Sequence, residues 1–176
     1  MNKIKRMKKL ILITMVFFLA FTVKAQNENK TYETDDFSIQ YPITWDLQTD
    51  MEAPAIFGVR APATSDEDIF AENVNLITQN LKGYNMNLDQ YIELNEGQIK
   101  TISNSQLFSS KRKKSDGGEY HVLEFKGSMS GMDLKVIQRY AIKNEIAYIL
   151  TFTTMENEFE ELRKIGTKIL ESFKLK

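Results

Sequence analysis

The chain has 176 residues, no cysteine, one histidine and almost balanced charge, with 23 basic against 24 acidic residues. The missing cysteines exclude disulfides, thiol catalysis and cysteine metal sites, and a lone histidine excludes a multi-histidine centre. A chain of this size is one domain, large enough to bury a core without cross-links.

Residues 1–25 have the three parts of a secretory signal peptide. Lys3, Lys5, Arg6, Lys8 and Lys9 make a positive start, Leu10 to Val23 is apolar, and Val23-Lys24-Ala25 ends on a small residue. The apolar run is about 21 Å long as a helix, short of the ~30 Å hydrocarbon core of a bilayer. The pattern predicts cleavage between Ala25 and Gln26. Without a cysteine at the new terminus no lipid anchor is attached, so no stable membrane anchor is expected after cleavage. Cleavage removes six basic residues and leaves 17 against 24, a net charge of −7. An acidic exported domain is a poor nucleic-acid ligand, so no nucleic-acid partner is expected.

Residues 26–36 are polar and read as a flexible lead-in, and 37–176 as a single domain. Phe37 to Tyr41 alternates apolar with polar and stops at Pro42, a strand ending in a turn. Asp46 to Pro54 reads as a loop and Ala55 to Arg60 as a strand. Thr64 to Asp68 reads as a solvated loop and Glu72 to Thr78 as another alternating strand. The period then lengthens to three or four at Leu88, Tyr91, Ile92, Ile99 and Ile102, which predicts a helix. Asn87 with Gln90 is a capping-box pair. Gly97 inside this helix costs about 1 kcal/mol relative to alanine.

Residues 106–154 read as a four-strand meander. Its turns fall at Ser115 to Gly118, at Ser130-Gly131 and at Asn144-Glu145. In the third strand Leu134, Val136, Tyr140 and Ile142 share one face. Lys135, Arg139 and Lys143 share the other, which therefore reads as wet. Ile146 to Thr153 is the most apolar strand and is expected at the sheet centre. Glu156 to Phe173 reads as a helix with an apolar stripe. Thr153 and Glu156 are its capping box, and acids before Arg163, Lys164 and Lys168 match the helix dipole. The predicted class is α+β, a mainly antiparallel sheet of about six to seven strands with two main helices packed on it.

Catalytic signatures are sparse. His121 points the same way as Leu123 and Phe125 and reads as a histidine with one satisfied hydrogen bond. No Gly-x-Ser-x-Gly elbow accompanies it. Asp66, Glu67, Asp68 and Glu72 read as solvated acids. Lys111 to Lys114 is the one basic run and reads as a charged hairpin tip. Trp45, the only tryptophan, reads as a core plug with an exposed binding ring as the alternative. No catalytic, metal-binding or cofactor-binding residue is assigned, and no cofactor is expected. The expected interaction residues are Trp45, Asp66, Asp68, Lys111 and Arg112.

Phe37-Ser-Ile-Gln-Tyr-Pro42 followed by Trp45 resembles the opening of PsbP-like domains. Glu72 to Leu76, Leu88-Asp-Gln-Tyr91, Ala147 to Phe152 and Ile169 to Lys174 are similar to later blocks of that family, in the same order. The resemblance implies a central antiparallel sheet with helices on its faces, shared with DcrB-like envelope proteins and a Ran-binding import factor. It implies a binding or assembly role rather than an enzyme, with another envelope or secreted protein as partner. A small-amphiphile or lipid carrier is the alternative, and an enzyme of unrecognised type the second. The expected contact surface is the segment Asp46 to Glu72 with the neighbouring sheet edge.

Overall fold

The computed structural model describes residues 28–65, 68–115 and 117–176. The predicted signal peptide with its Ala25–Gln26 junction, Asp66, Glu67 and Asp116 lie outside the described residues. The chain order is β1 (Asn29–Glu33), β2 (Phe37–Pro42), β3 (Asp46–Gln48), β4 (Ala55–Arg60) and β5 (Asn73–Asn80), then α1 (Leu88–Ile99). β6 (Ser103–Ser115), β7 (Gly118–Met129), β8 (Met132–Lys143), β9 (Ile146–Met155), α2 (Phe159–Ser172) and β10 (Lys174–Leu175) follow.

Seven strands form an antiparallel sheet in the order β3-β4-β5-β9-β8-β7-β6. The apolar strand β9 holds the middle. Side chains alternate across a strand, so β9 feeds two cores. Leu150 and Phe152 join one with Val74, Leu76, Ile137 and the stripe of α2. Ala147 and Ile149 join the other with Leu123, Phe125, Tyr140 and the stripe of α1. The two helices therefore pack on opposite faces. A second sheet, β1-β2-β10, closes over the α2 core through Phe37, Ile39 and Tyr41.

Local sequence explains most boundaries. Asn87 and Gln90 exchange side-chain-to-backbone hydrogen bonds of 3.0 Å, the predicted capping box. Asn95 fills the gap in the α1 stripe by donating to the Tyr91 carbonyl at 2.7 Å. Asn144 and Glu145 take positive φ of 53° and 59°, the twist a two-residue hairpin demands. Gly166 lets α2 lie directly on the sheet, because a Cβ there would sit 2.5 Å from Cε1 of Phe152.

Four expectations are corrected. Residues 29–33, assigned to a lead-in, form β1, which pairs along its length with β2. Its one apolar side chain, Tyr32, packs edge-on against Phe37 and Phe57, with ring centroids 5.8 and 5.5 Å away. One anchored aromatic and a strand partner suffice to order an otherwise polar edge strand. Asp46 to Gln48, assigned to a loop, pairs with β4 as β3. Thr153 lies inside β9, opposite both Asn73 and Val136, so it cannot cap a helix. The second helix starts at Phe159, with no side-chain cap.

The fourth correction concerns the face assigned to solvent. Arg139 is buried at 7% exposure, because α2 covers that face. Its Nη1 donates to the carbonyls of Leu170 (2.7 Å) and Glu171 (3.4 Å), and its guanidinium lies 3.9 Å from the Tyr120 ring centroid. The last turn of α2 contains no basic residue. A cation supplied by the sheet thus satisfies the orphan carbonyls at the negative end of the helix.

Candidate functional site

The residues singled out in the sequence do not converge. Trp45 is buried in the α2-side core at 5% exposure, the core plug its sequence context predicts, which removes it from the exposed interaction residues. Asp68 closes its own loop, accepting from the backbone N–H of Thr64 (2.9 Å) and Phe70 (3.2 Å). These bonds hold its carboxyl below the usual range. Lys111 and Arg112 lie on β6, the edge of the main sheet opposite β3. Arg112 pairs with Asp89 of α1 and with Glu119, Lys113 with Glu171 (3.7 Å), and Lys114 with Glu119 (2.9 Å). Three of the four cations in the basic run are thereby tied to acids of three elements, which disperses their charge.

Two titratable groups sit in unusual surroundings. Ser110 Oγ is 2.7 Å from His121 Nε2, the spacing of a serine and its base. His121 Nδ1, however, is buried with no hydrogen-bond partner. Glu96 and Asp89 act on the charge of the ring from a distance, but neither accepts from it, and Asp89 is engaged by Arg112. Burial, with the positive Arg112 beside it, pushes the imidazole below its ordinary range. Glu72, grouped in sequence with an acidic loop, is instead 2% exposed, and its Oε1 has no partner. Burial raises its carboxyl above the usual range, and the neighbouring Glu158 adds to the rise. Only the tertiary fold brings Glu72 to the start of α2, so no sequence signal could have found it. Among the described residues no group of three His, Asp or Glu side chains is placed to hold a metal ion.

Two surfaces stand out by shape. The first is half of one sheet face. α1 covers β6, β7 and β8, which leaves β4, β5 and the near end of β9 without a helix over them. Register places Arg60, Asn73 and Thr153 side by side in one row, and Gly58, Asn75, Thr151 and Gln138 in the next. Asn75 donates to Asn73 across the rows (3.2 Å), and Gln138 donates to Thr151 within the second (3.2 Å). The segments bordering this face carry exposed apolar side chains, Met51, Ile56 and Ile69, the last at 82% exposure.

The second is a groove of about 910 Å³ between α2 and the end of β2. Pro42, Ile43 and Trp45 line one wall, and Lys164, Ile165 and Lys168 the other. Beyond the two residues of β2 paired with β10, the hydroxyl of Ser172 takes over the strand edge. It accepts from the Gln40 N–H (2.9 Å) and lies 3.1 Å from the Gln40 carbonyl oxygen.

Protein-family models give no match to this chain, and neither do the curated proteins. Solved structures do match. The solution structure of cyanobacterial PsbP (CyanoP) from Synechocystis sp. PCC 6803 superposes with a TM-score of 0.60 at 13% identity, over 89% of this chain and 96% of that one. LpqN of Mycobacterium tuberculosis, described as involved in cell envelope biogenesis, gives 0.62 at 15% identity over 84% and 90%. The Ran-binding protein Mog1p of Saccharomyces cerevisiae gives 0.54 at 7% identity over 83% and 94%. The chain has the PsbP-like α+β fold, as its sequence blocks predict. At these identities the likeness is one of fold.

Proposed function

We propose that this PsbP-fold protein is an exported, non-catalytic binding or assembly module of the cell envelope. It receives another envelope or secreted protein on the open half of its main sheet. The observation that carries this reading is the uneven cover of one sheet face. α1 shields one half, and the other presents Arg60 with the amides and hydroxyls of Asn73, Asn75, Gln138, Thr151 and Thr153, with Met51 lying over Gly58 and Ile56 and Ile69 exposed beside them. Exposed apolar side chains next to unshielded hydrogen-bonding groups offer both kinds of contact that protein interfaces use. The segment Asp46 to Glu72 supplies those apolar side chains.

The described envelope role of LpqN and the Ran-binding role of Mog1p support a binding reading by analogy of fold. The Ser110–His121 pair favours no hydrolytic alternative, because its histidine lacks the orienting carboxylate that a triad requires. Among the described residues no helix is long and apolar enough to cross a membrane. The export element of the proposal rests on the signal-like residues 1–25.

Site-specific photo-crosslinking tests the proposal. A crosslinker placed at Ile56 or Ile69 in the native host should capture one and the same protein. Placed at Lys82, away from this face, it should not. Equal capture from all three positions would count against the proposed surface. Substrate turnover lost in Ser110→Ala would count against the non-catalytic role.

A further inference from the structure

The geometry points to a second, separate binding site: the groove between α2 and β2 takes a single-chain amphiphile with an anionic head group. Lys164 and Lys168 stand one turn apart on the groove wall, the spacing at which two side chains reach one ligand group. Neither has a carboxylate partner, whereas Arg163 beside them is engaged by Glu124 at 2.8 Å. Glu171, at the same end of the helix, is likewise engaged by Lys113. Glu28 lies on the far wall and repels an anion toward the lysines. In a chain whose residues 26–176 carry an acidic surplus, two unpaired cations on the wall of one groove are complementary to a carboxylate or phosphate head.

The rest of the groove suits a hydrocarbon chain. Pro42, Ile43 and Ile165 line it, and Ile43 and Ile165 are 47% and 37% exposed. A peptide is the weaker fit, because its backbone brings donors and acceptors that need partners. The strand edge here offers few. Pro42 has no N–H, its carbonyl accepts from Trp45 at 3.0 Å, and Ser172 occupies the polar groups of Gln40. An alkyl chain needs no such partners.

Calorimetric titration of the full protein with dodecyl phosphate, kept below its micelle concentration, tests the site. Saturable binding is expected. It should weaken about tenfold or more in the double variant Lys164→Gln, Lys168→Gln, which keeps its fold because both side chains are exposed. Equal binding by the double variant would overturn the site, as would equal binding of dodecyl maltoside. Inorganic phosphate binding as tightly as dodecyl phosphate would reduce it to an ion site and overturn the amphiphile. Displacement of dodecyl phosphate by an equimolar acidic peptide would replace the proposed occupant. The groove and the open half-sheet are different surfaces, so this result and the crosslinking result stand or fall independently.

Discussion

Gly166 and Gly97 both interrupt helices, with opposite consequences. A methyl group at Gly166 runs into the Phe152 ring, while one at Gly97 meets nothing within 4 Å. Gly166→Ala should therefore destabilise by about 1–3 kcal/mol through overpacking. Gly97→Ala should stabilise by about 0.5–1 kcal/mol through helix propensity and loss of unfolded-state freedom. Urea unfolding of the two variants reads both signs. Gly97 could be costed from the sequence, because its effect is local. The role of Gly166 depends on a ring in β9 and could not.

Glu72 and His121 set opposite pH slopes. The raised Glu72 carboxyl means that the folded state keeps a proton the unfolded chain has lost. Stability contributed by Glu72 thus falls as pH rises from near the ordinary carboxylate value through the raised one. Glu72→Gln should raise the thermal midpoint at pH 7 by about 2–4 °C per kcal/mol recovered, and the gain should vanish near pH 4. His121 has a lowered value, so the unfolded chain binds the proton more readily. Its contribution is present above the unfolded value of about 6.5 and is lost as pH falls through that value toward the folded one. Scanning Glu72→Gln with and without His121→Gln between pH 5 and 7.5 isolates the second slope. The histidine variant should be flatter.

At the scale of elements, α2 depends on a residue outside it. Arg139 donates to the carbonyls of Leu170 and Glu171 and stacks on Tyr120. Arg139→Met should cost about 2–3 kcal/mol, since a charge-assisted bond is lost and a buried carbonyl is left unpaired. Arg139→Lys should recover only part of that, because an ammonium lacks the planar group that lies on the ring. The midpoint of denaturant unfolding orders the three proteins. The start of α2 shows why the sequence misleads here. Thr153 and Glu156 have capping-box spacing, yet β9 continues to Met155 because Thr153 has partners on both β5 and β8 and β8 pairs on as far as Met155. Strand pairing outweighs a cap worth about 1 kcal/mol. α1 has no such competitor, and its capping box forms as the sequence predicts.

Across the whole molecule, the proposed function rests on which sheet faces are covered. α2 and the β1-β2-β10 sheet close one face, and α1 closes half of the other. The crosslinking positions Ile56 and Ile69 probe the half left open, and dodecyl phosphate probes the groove. The candidate surfaces were only partly legible beforehand. The proposed border falls in the expected segment Asp46 to Glu72, Trp45 fills the core as its preferred reading has it, and Lys111 and Arg112 lie at the far edge of the sheet. Lys164 and Lys168 read only as dipole partners of their helix, since nothing local shows that β2 stops opposite them.

The sequence by itself determined the periodic elements, the tight turns, the central place of β9 and the PsbP-like order of blocks. These rest on side-chain spacing and backbone preference, which act over a few residues. Only the tertiary structure decided the burial of Arg139 and Glu72, the ordering of β1, the open half-sheet and the groove. Each of these depends on which surface a helix or strand from a distant part of the chain comes to cover, and burial of that kind leaves no local pattern to read.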